Sequence, residues 1–440
     1  MSLYQKMAFL YGDMMAALRS FQAYGSFKKQ QKSAVQGDKI RVGFMCQYLP
    51  AWGKLEPVYR LMKEASDFEV VLLCVPMGIH RQKLDDPEDI ANDTYEYYKA
   101  QGYDAVNTLI GKDRWLDLET LKLDYLFFTR PYNSYMPPQY SSHEVSRYTK
   151  ICVMLYAFTL MEETYRSTLN RDFFCNVYLY FAEDRYAMEK QIRAFSRRHR
   201  IGLQRSVYVG MAALADIYEA KGKHAGAWEF SGNEFRVMWT PRWTTDKALG
   251  GSNFFVYQKP LLAYADRHPD MDFLFRPHPL MFENFRKTGE LTEQEEQEYR
   301  DRIAELPNVS LDESGAYAAS FWKSSVLVSD ISGMMPEYFV TGKPVVYCPT
   351  DSGLRLAESS VKLISGCYIA HNEAELFDIL ERLQRGEDPL REKRRALIPE
   401  LFGEDIMGIP HRVLHIMRED GRLLPGKEAA GSKIGGNERT

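Results

Sequence analysis

From residue 39 onward, short apolar runs alternate with longer amphipathic stretches. IRVGFMC reads as a strand, LEPVYRLMKEA as a helix and FEVVLLCVP as a second strand, and further strand-like runs lie at 104–110, 124–130, 150–157 and 176–182. Short β-branched and aromatic runs separated by helical spacing predict a parallel sheet covered on both faces, because such strands are apolar on both sides. The segment 211–232 reads as helical and ends in the polar, glycine-containing HAGAWEFSGNE. A second alternation then begins: RVMWTPRW, a helix over 253–267, MDFLFRP, an acidic helix over 289–305, VSL, VLVSD, a short helix, PVVYCP and a closing helical tract. Two alternations predict two domains. The expected division is an N-terminal helix and linker over 1–37, a first α/β domain over 38–232, a second over 233–420 and a disordered tail over 421–440.

In the N-terminal segment Met7, Leu10, Tyr11, Met14, Met15, Leu18 and Phe21 recur at helical spacing, ahead of the basic, polar SFKKQQKSAVQGDK. This predicts an amphipathic helix, whose apolar stripe is a packing face or a membrane anchor. No apolar stretch reaches the roughly 18 residues that a membrane span needs, and no signal-peptide pattern precedes the first strand. Cytoplasmic residence is therefore expected, with at most salt-sensitive membrane attachment through Lys28, Lys29 and Lys32.

With 56 basic against 60 acidic residues and a net charge of −4, the chain has no global field to attract nucleic acid, so any anion site must be local. Its 440 residues, 45% of them hydrophobic, suffice for two cores. The six cysteines show neither CxxC nor zinc-ligand spacing, and several lie in strand-like runs, which suits buried thiols in a reducing compartment.

Three stretches carry candidate chemistry. In VLVSDISGMMPEYFVTGKPVVYC, 326–348, a buried strand ends at Asp330, Ser332 is placed to cap a helix containing Pro336, and Gly342 to close it. A helix start at the carboxyl end of a parallel strand aims N–H groups at the site where phosphates bind, which makes Ser332 and the amide of Gly333 phosphate candidates. FLFRPHPLM, 273–281, runs a strand straight into Arg276 and His278, a fork for phosphate oxygens and a donor or proton carrier. MWTPRWTT, 238–245, does the same with Arg242. Each has a structural alternative: a plain capped helix, a histidine packed in a proline-rich turn, a hinge of packed aromatics.

In this order the three stretches resemble the CDP-glycerol glycerophosphotransferase family, bacterial enzymes that prime and polymerise teichoic acids; the resemblance covers about 233–418. It implies a GT-B-like α/β fold, two Rossmann-like domains facing an interdomain cleft, with the closing helix around 408–418 crossing back to the first domain. Arg276 and His278 match the family's His-Pro motif. Asp330, Ser332 and Glu337 match its Asp-Tyr-Ser-Ser motif and the acidic residue near the nucleotide, and Asp405 and Gly408 are looser counterparts of its closing Asp-Gly. Ile331 and Gly333 stand where the family has Tyr and Ser, so one hydroxyl is replaced by a backbone N–H. The implied donor is CDP-glycerol, with no metal or other cofactor, and the implied acceptor is a polyol, sugar or lipid-linked hydroxyl.

The first domain lacks the family's His-Gly-Thr string. VMLYAFTLMEETY, 153–165, offers Tyr156 and Glu162 instead, the carboxylate as a base toward an acceptor hydroxyl or else part of an exposed helix start. The loop TRPYNSYMPPQY brings Arg130, Tyr132 and Asn133 to a strand end, a composition that suits a polyol or a rigid packing loop. The expected function is transfer of glycerol phosphate to an acceptor hydroxyl. The rivals are a glycosyltransferase or sugar epimerase using a nucleotide-diphosphate sugar on the same fold, and a cell-envelope nucleotide-binding protein without catalysis.

Overall fold

The computed structural model describes residues 39–76, 92–112, 114–230 and 232–422, together with Met7, Met14 and Leu18, which are helical and exposed. The rest of the expected N-terminal helix, its linker and the tail from 423 lie outside the described residues.

Fifteen strands are described: β1 Ile40–Cys46, β2 Phe68–Cys74, β3 Ala105–Asn107, β4 Leu109–Gly111, β5 Arg114–Trp115, β6 Tyr125–Phe128, β7 Lys150–Met154, β8 Val177–Ala182, β9 Arg205–Tyr208, β10 Phe235–Thr240, β11 Met271–Phe275, β12 Val309–Leu311, β13 Val326–Ser329, β14 Val345–Tyr347 and β15 Tyr368–Ile369. Apart from the antiparallel β4–β5 ribbon they form two sheets, ordered β3-β2-β1-β6-β7-β8-β9 and β12-β11-β10-β13-β14-β15. The pairings within both sheets are parallel. Counting only sheet strands in chain order, both run 3-2-1-4-5-6, the first with one more strand at its end. That is the doubly wound order, whose direction reverses between its first and fourth strands: between β1 and β6 in one sheet, between β10 and β13 in the other. Central strands are buried on both faces, as in β6, β7 and β13, so their runs read as continuously apolar.

The chain divides into two compact units, one of residues 1–157, 166–213 and 408–440, the other of 158–165 and 214–407. This differs from the expected division at three places. The boundary falls at 213/214 rather than 232/233, because the segment expected to be one helix over 211–232 contains a helix only over Ala213–Glu219 and a 3-10 turn at Gly226–Trp228, and Trp228 packs into the second unit, donating to the Ser320 carbonyl at 3.1 Å. Residues 158–165 leave the first unit. Residues from 408 belong to the first unit, to which the closing helix was expected to cross back, and not to the second as in the linear division.

That last exchange has a definite anchor. The closing helix Ile409–Arg422 carries the buried Asp420, whose carboxylate accepts from the Tyr125 hydroxyl at 2.5 Å, the Tyr178 hydroxyl at 2.7 Å and the Lys150 ammonium at 3.2 Å. Both phenol pKa values are raised, first by burial and then by the Asp420 charge. Next to it Gly421 lets the helix lie against β1: a Cβ there would stand 2.3 Å from the Ile40 Cδ1. Arg418 adds a two-pronged pair with Asp67, at 2.7 and 2.8 Å.

The six cysteines are free and buried. No helix among the described residues is long and apolar enough to cross a membrane.

Candidate active site

In the second unit the three chemistry-bearing stretches leave the carboxyl ends of β11, β10 and β13, which are neighbours in the sheet, so their loops emerge side by side. The β10/β13 pair is the point of reversal, where open α/β sheets leave a crevice.

Asp330, directly after β13, is 1% exposed, and one of its oxygens accepts from the Arg242 amide at 3.0 Å, the Asn253 amide at 3.1 Å and the Ser252 hydroxyl at 3.3 Å. Burial pushes its carboxyl up to about 6, against the lowering effect of those amides. The sequence expectation of a donor contact is corrected here: this oxygen serves the protein's own loops, and Asp330 organises the site from behind. Arg242 is likewise committed. Its guanidinium donates to the Ile331 carbonyl at 2.6 Å and to the Leu249 carbonyl, tying the loop after β10 to the loop after β13.

Arg276 continues the ladder, its amide donating to the Trp239 carbonyl at 2.9 Å. Its buried side chain pairs with Asp312, donates to the Ser314 carbonyl at 2.6 Å and lies 5.0 Å over the Tyr317 ring. A phosphate fork was expected; the fork is filled by Asp312 instead. Tyr317 passes the connection on, its hydroxyl donating to Glu337 at 2.5 Å, and Glu337 is 2% exposed. Asp312, Tyr317, Ser252 and Asn253 are residues that sequence reasoning missed. Ser252 and Asn253 had a signal, a polar pair ahead of the helix Phe254–Arg267; Tyr317 had none.

His278 is half-buried, and its Nδ1 accepts from the Leu280 amide at 3.1 Å. Burial, with the Arg242 charge behind it, holds the imidazole down to about 4. At neutral pH the ring is therefore uncharged, and because Nδ1 accepts, its proton sits on Nε2. His278 is thus a fixed neutral donor, with the Trp243 ring centre 6.1 Å away.

The helix after β13 is shorter than the sequence suggested, Met334–Phe339, with Gly333 at its cap position and no side-chain cap bond. Ser332, expected to cap it, instead shares a 3.1 Å hydrogen bond with the Ser329 hydroxyl, which in turn accepts from the Thr240 hydroxyl at 2.9 Å. Ser332 and Gly333 remain partly exposed at this edge, next to the buried Asp330.

In the first unit, Arg130 lies between two tyrosine rings at the β1/β6 reversal, 5.0 Å from Tyr48 and 4.2 Å from Tyr135. Tyr132 and Tyr156 are half-buried and within electrostatic reach of each other, the Tyr132 phenol raised mainly by burial. Asn133 does not join them as a ligand group: its amide donates to Asp172 at 2.6 Å and its oxygen accepts from the Ser142 amide at 2.8 Å, so it clips the loop in place. Glu162 is displaced from this set altogether. Its segment belongs to the second unit, where the Glu162 amide donates to the Arg355 carbonyl at 2.9 Å, Met161 bridges Leu356, and the Glu163 carboxylate pairs with Arg355 at 3.1 Å.

A cavity of about 550 Å³ elsewhere in the first unit is lined by Asp117, Glu119, Tyr140, Glu144, Tyr148 and Arg147, the last paired with Glu144 at 2.9 Å.

The two doubly wound sheets define a GT-B-like α/β protein. No protein-family model and no curated protein matches the chain. Among solved structures it is similar to the UDP-GlcNAc 2-epimerase from Neisseria meningitidis bound to UDP-GlcNAc, with 13% identity, TM-score 0.55, and coverage of 87% of this chain and 100% of that one. It is similar to the S. aureus MnaA–UDP co-structure, at 12% identity, TM-score 0.56 and coverage of 90% and 100%. The wall teichoic acid polymerase TagF is a third, at 13% identity, TM-score 0.56 and coverage of 95% and 99%. At such identities these likenesses establish the fold.

Proposed function

We propose that the protein is a transferase that holds a nucleotide-diphosphate donor at the β10/β13 edge and moves glycerol phosphate from CDP-glycerol to an acceptor hydroxyl. The observation that carries this reading is His278, a neutral imidazole whose Nδ1 is occupied and whose Nε2–H is free to donate, on the same sheet edge from which the loop of Ser332 and Gly333 emerges. In the reaction the acceptor oxygen forms a bond to the phosphorus bearing glycerol, the anhydride P–O bond breaks, and CMP leaves with the electron pair. The Nε2–H of His278, the Ser332 hydroxyl and the amide of Gly333 stabilise charge on the departing phosphate. Glu337, positioned by Tyr317 and through it by Arg276, accepts from ribose hydroxyls. In the first unit Arg130, Tyr132 and Tyr156 are the candidates for orienting the acceptor, whose proton passes to water.

The presence of UDP-GlcNAc 2-epimerases among the structural neighbours favours one second reading, a reaction on a nucleotide-diphosphate sugar. Incubation with CDP-glycerol plus polyol acceptors, and separately with UDP-GlcNAc, distinguishes the two. Acceptor-dependent CMP release that falls about a hundredfold or more in His278→Ala supports glycerol phosphate transfer. Interconversion or cleavage of UDP-GlcNAc supports the second reading, and inertness toward both donors overturns the proposal.

A further inference from the structure

A feature of the first unit unrelated to the candidate active site is a block of unbalanced charge. Between Lys190 and Ala215 the sequence holds six cations, Lys190, Arg193, Arg197, Arg198, Arg200 and Arg205, and no acidic residue, within a chain whose net charge is −4. Fold and charge coincide here. The helix Arg185–Ala194 runs into the short helix Ser196–Arg200, and a turn closed by Gly202, at φ +74°, leads into the edge strand β9. Arg193, Arg197, Arg200 and Arg205 are exposed on this corner. Arg193 pairs with Glu189 at 3.0 Å; the other three make no ion pair with any described residue. Arg171 adds a cation alongside, donating to the Ala194 carbonyl at 3.3 Å.

At the tip of the turn stands Ile201, 66% exposed and the most exposed large hydrophobic side chain among the described residues. Exposing an isoleucine among arginines is unfavourable in water, and the arginines repel one another there. Both costs are relieved at one kind of surface: an anionic lipid headgroup layer, which neutralises the cations and takes an apolar side chain to the acyl boundary. A soluble polyanion would match the charge but give Ile201 nothing.

We propose that the Arg193–Arg205 corner docks on an anionic lipid surface, the arginines contacting headgroups and Ile201 inserting. This inference does not rest on the donor reading, and it assigns membrane contact to a folded corner rather than to Lys28, Lys29 and Lys32.

The test is co-sedimentation of the full chain with vesicles of phosphatidylcholine alone or with about one third phosphatidylglycerol, at low and high salt. Anionic vesicles should bind the parent, less so at high salt, and neutral ones should not. Each cation strengthens binding about fivefold, so Arg197→Glu with Arg200→Glu should weaken it by about twentyfold or more. Ile201→Ser should weaken it several-fold without changing its salt dependence. These residues are exposed, so unchanged thermal unfolding would show that both variants fold. The proposal is overturned if the parent ignores anionic vesicles, or if binding survives the Arg197/Arg200 reversal and is lost instead on reversing Lys28, Lys29 and Lys32. It is equally overturned if Ile201→Ser binds vesicles as the parent does while soluble polyphosphate competes fully, since that pattern describes a polyanion site.

Discussion

The substitution Asp330→Asn isolates one quantity, the free energy of keeping a carboxylate ionised where water is excluded. Asp330 is 1% exposed and its carboxyl is pushed from 3.8 to about 6. Between those two pH values the folded chain retains a proton that the unfolded chain has released, so the Asp330 contribution to stability is present below about pH 4 and is lost as pH rises through 6. At about 1.4 kcal/mol per tenfold change in proton concentration, the loss approaches roughly 3 kcal/mol. The carboxamide introduced by Asp330→Asn cannot titrate, yet keeps an oxygen to accept from the Arg242 and Asn253 amides. The stability of Asp330→Asn relative to the parent should therefore rise by about 3 kcal/mol between pH 4 and 7. Urea unfolding followed by tryptophan fluorescence, with Trp239 and Trp243 reporting on the same unit, measures this at four or five pH values. Asp330→Ala is the control: two amides lose their acceptor at a cost of about 1–3 kcal/mol each. Parallel pH curves for parent and Asp330→Asn would refute the reasoning, because they would mean that the carboxylate is as well solvated folded as unfolded.

His278 should show the opposite sign. Its folded value of about 4 lies below 6.5, so its contribution is present above 6.5 and lost as pH falls toward 4; His278→Gln should flatten that loss in the same unfolding series and cut donor turnover more than CMP affinity. Tyr317→Phe removes the hydrogen bond to the buried Glu337, and calorimetry with CMP or CDP should find affinity lower by about five- to thirtyfold, equivalent to about 1–2 kcal/mol; unchanged affinity would detach Glu337 from the nucleotide. Asp420→Ala leaves Lys150 and two phenols buried without their shared acceptor, so stability should fall by about 3–5 kcal/mol and limited proteolysis should release the closing helix first. An intact helix with parental stability would contradict the anchoring role.

The pattern of apolar runs was enough for two α/β units and for the three strand-to-loop junctions of the candidate site. A strand buried on both faces announces itself as an uninterrupted apolar run, as at 326–329, and the polar residue that ends it marks the loop. Because parallel strands deliver their loops to one edge, Arg242, His278 and Asp330 were bound to neighbour one another once β10, β11 and β13 were read as one sheet. Which way each side chain turns was a different matter. Arg276 faces Asp312 and Arg242 faces the Ile331 carbonyl because acceptors from distant segments stand within reach, and nothing near 276 or 242 in the chain records their presence. Tyr317 was invisible for the same reason, twenty residues from the Glu337 it holds. The assignment of residues 158–165 to the second unit was likewise decided only by tertiary contacts, a bridge from Met161 to Leu356; the crossing of the closing helix was implied by the family resemblance, but its anchor was not legible, a buried aspartate at 420 that finds its partners at 125, 150 and 178. Periodicity is a property of neighbours along the chain, whereas hydrogen-bond partnership belongs to groups that only the finished fold brings together.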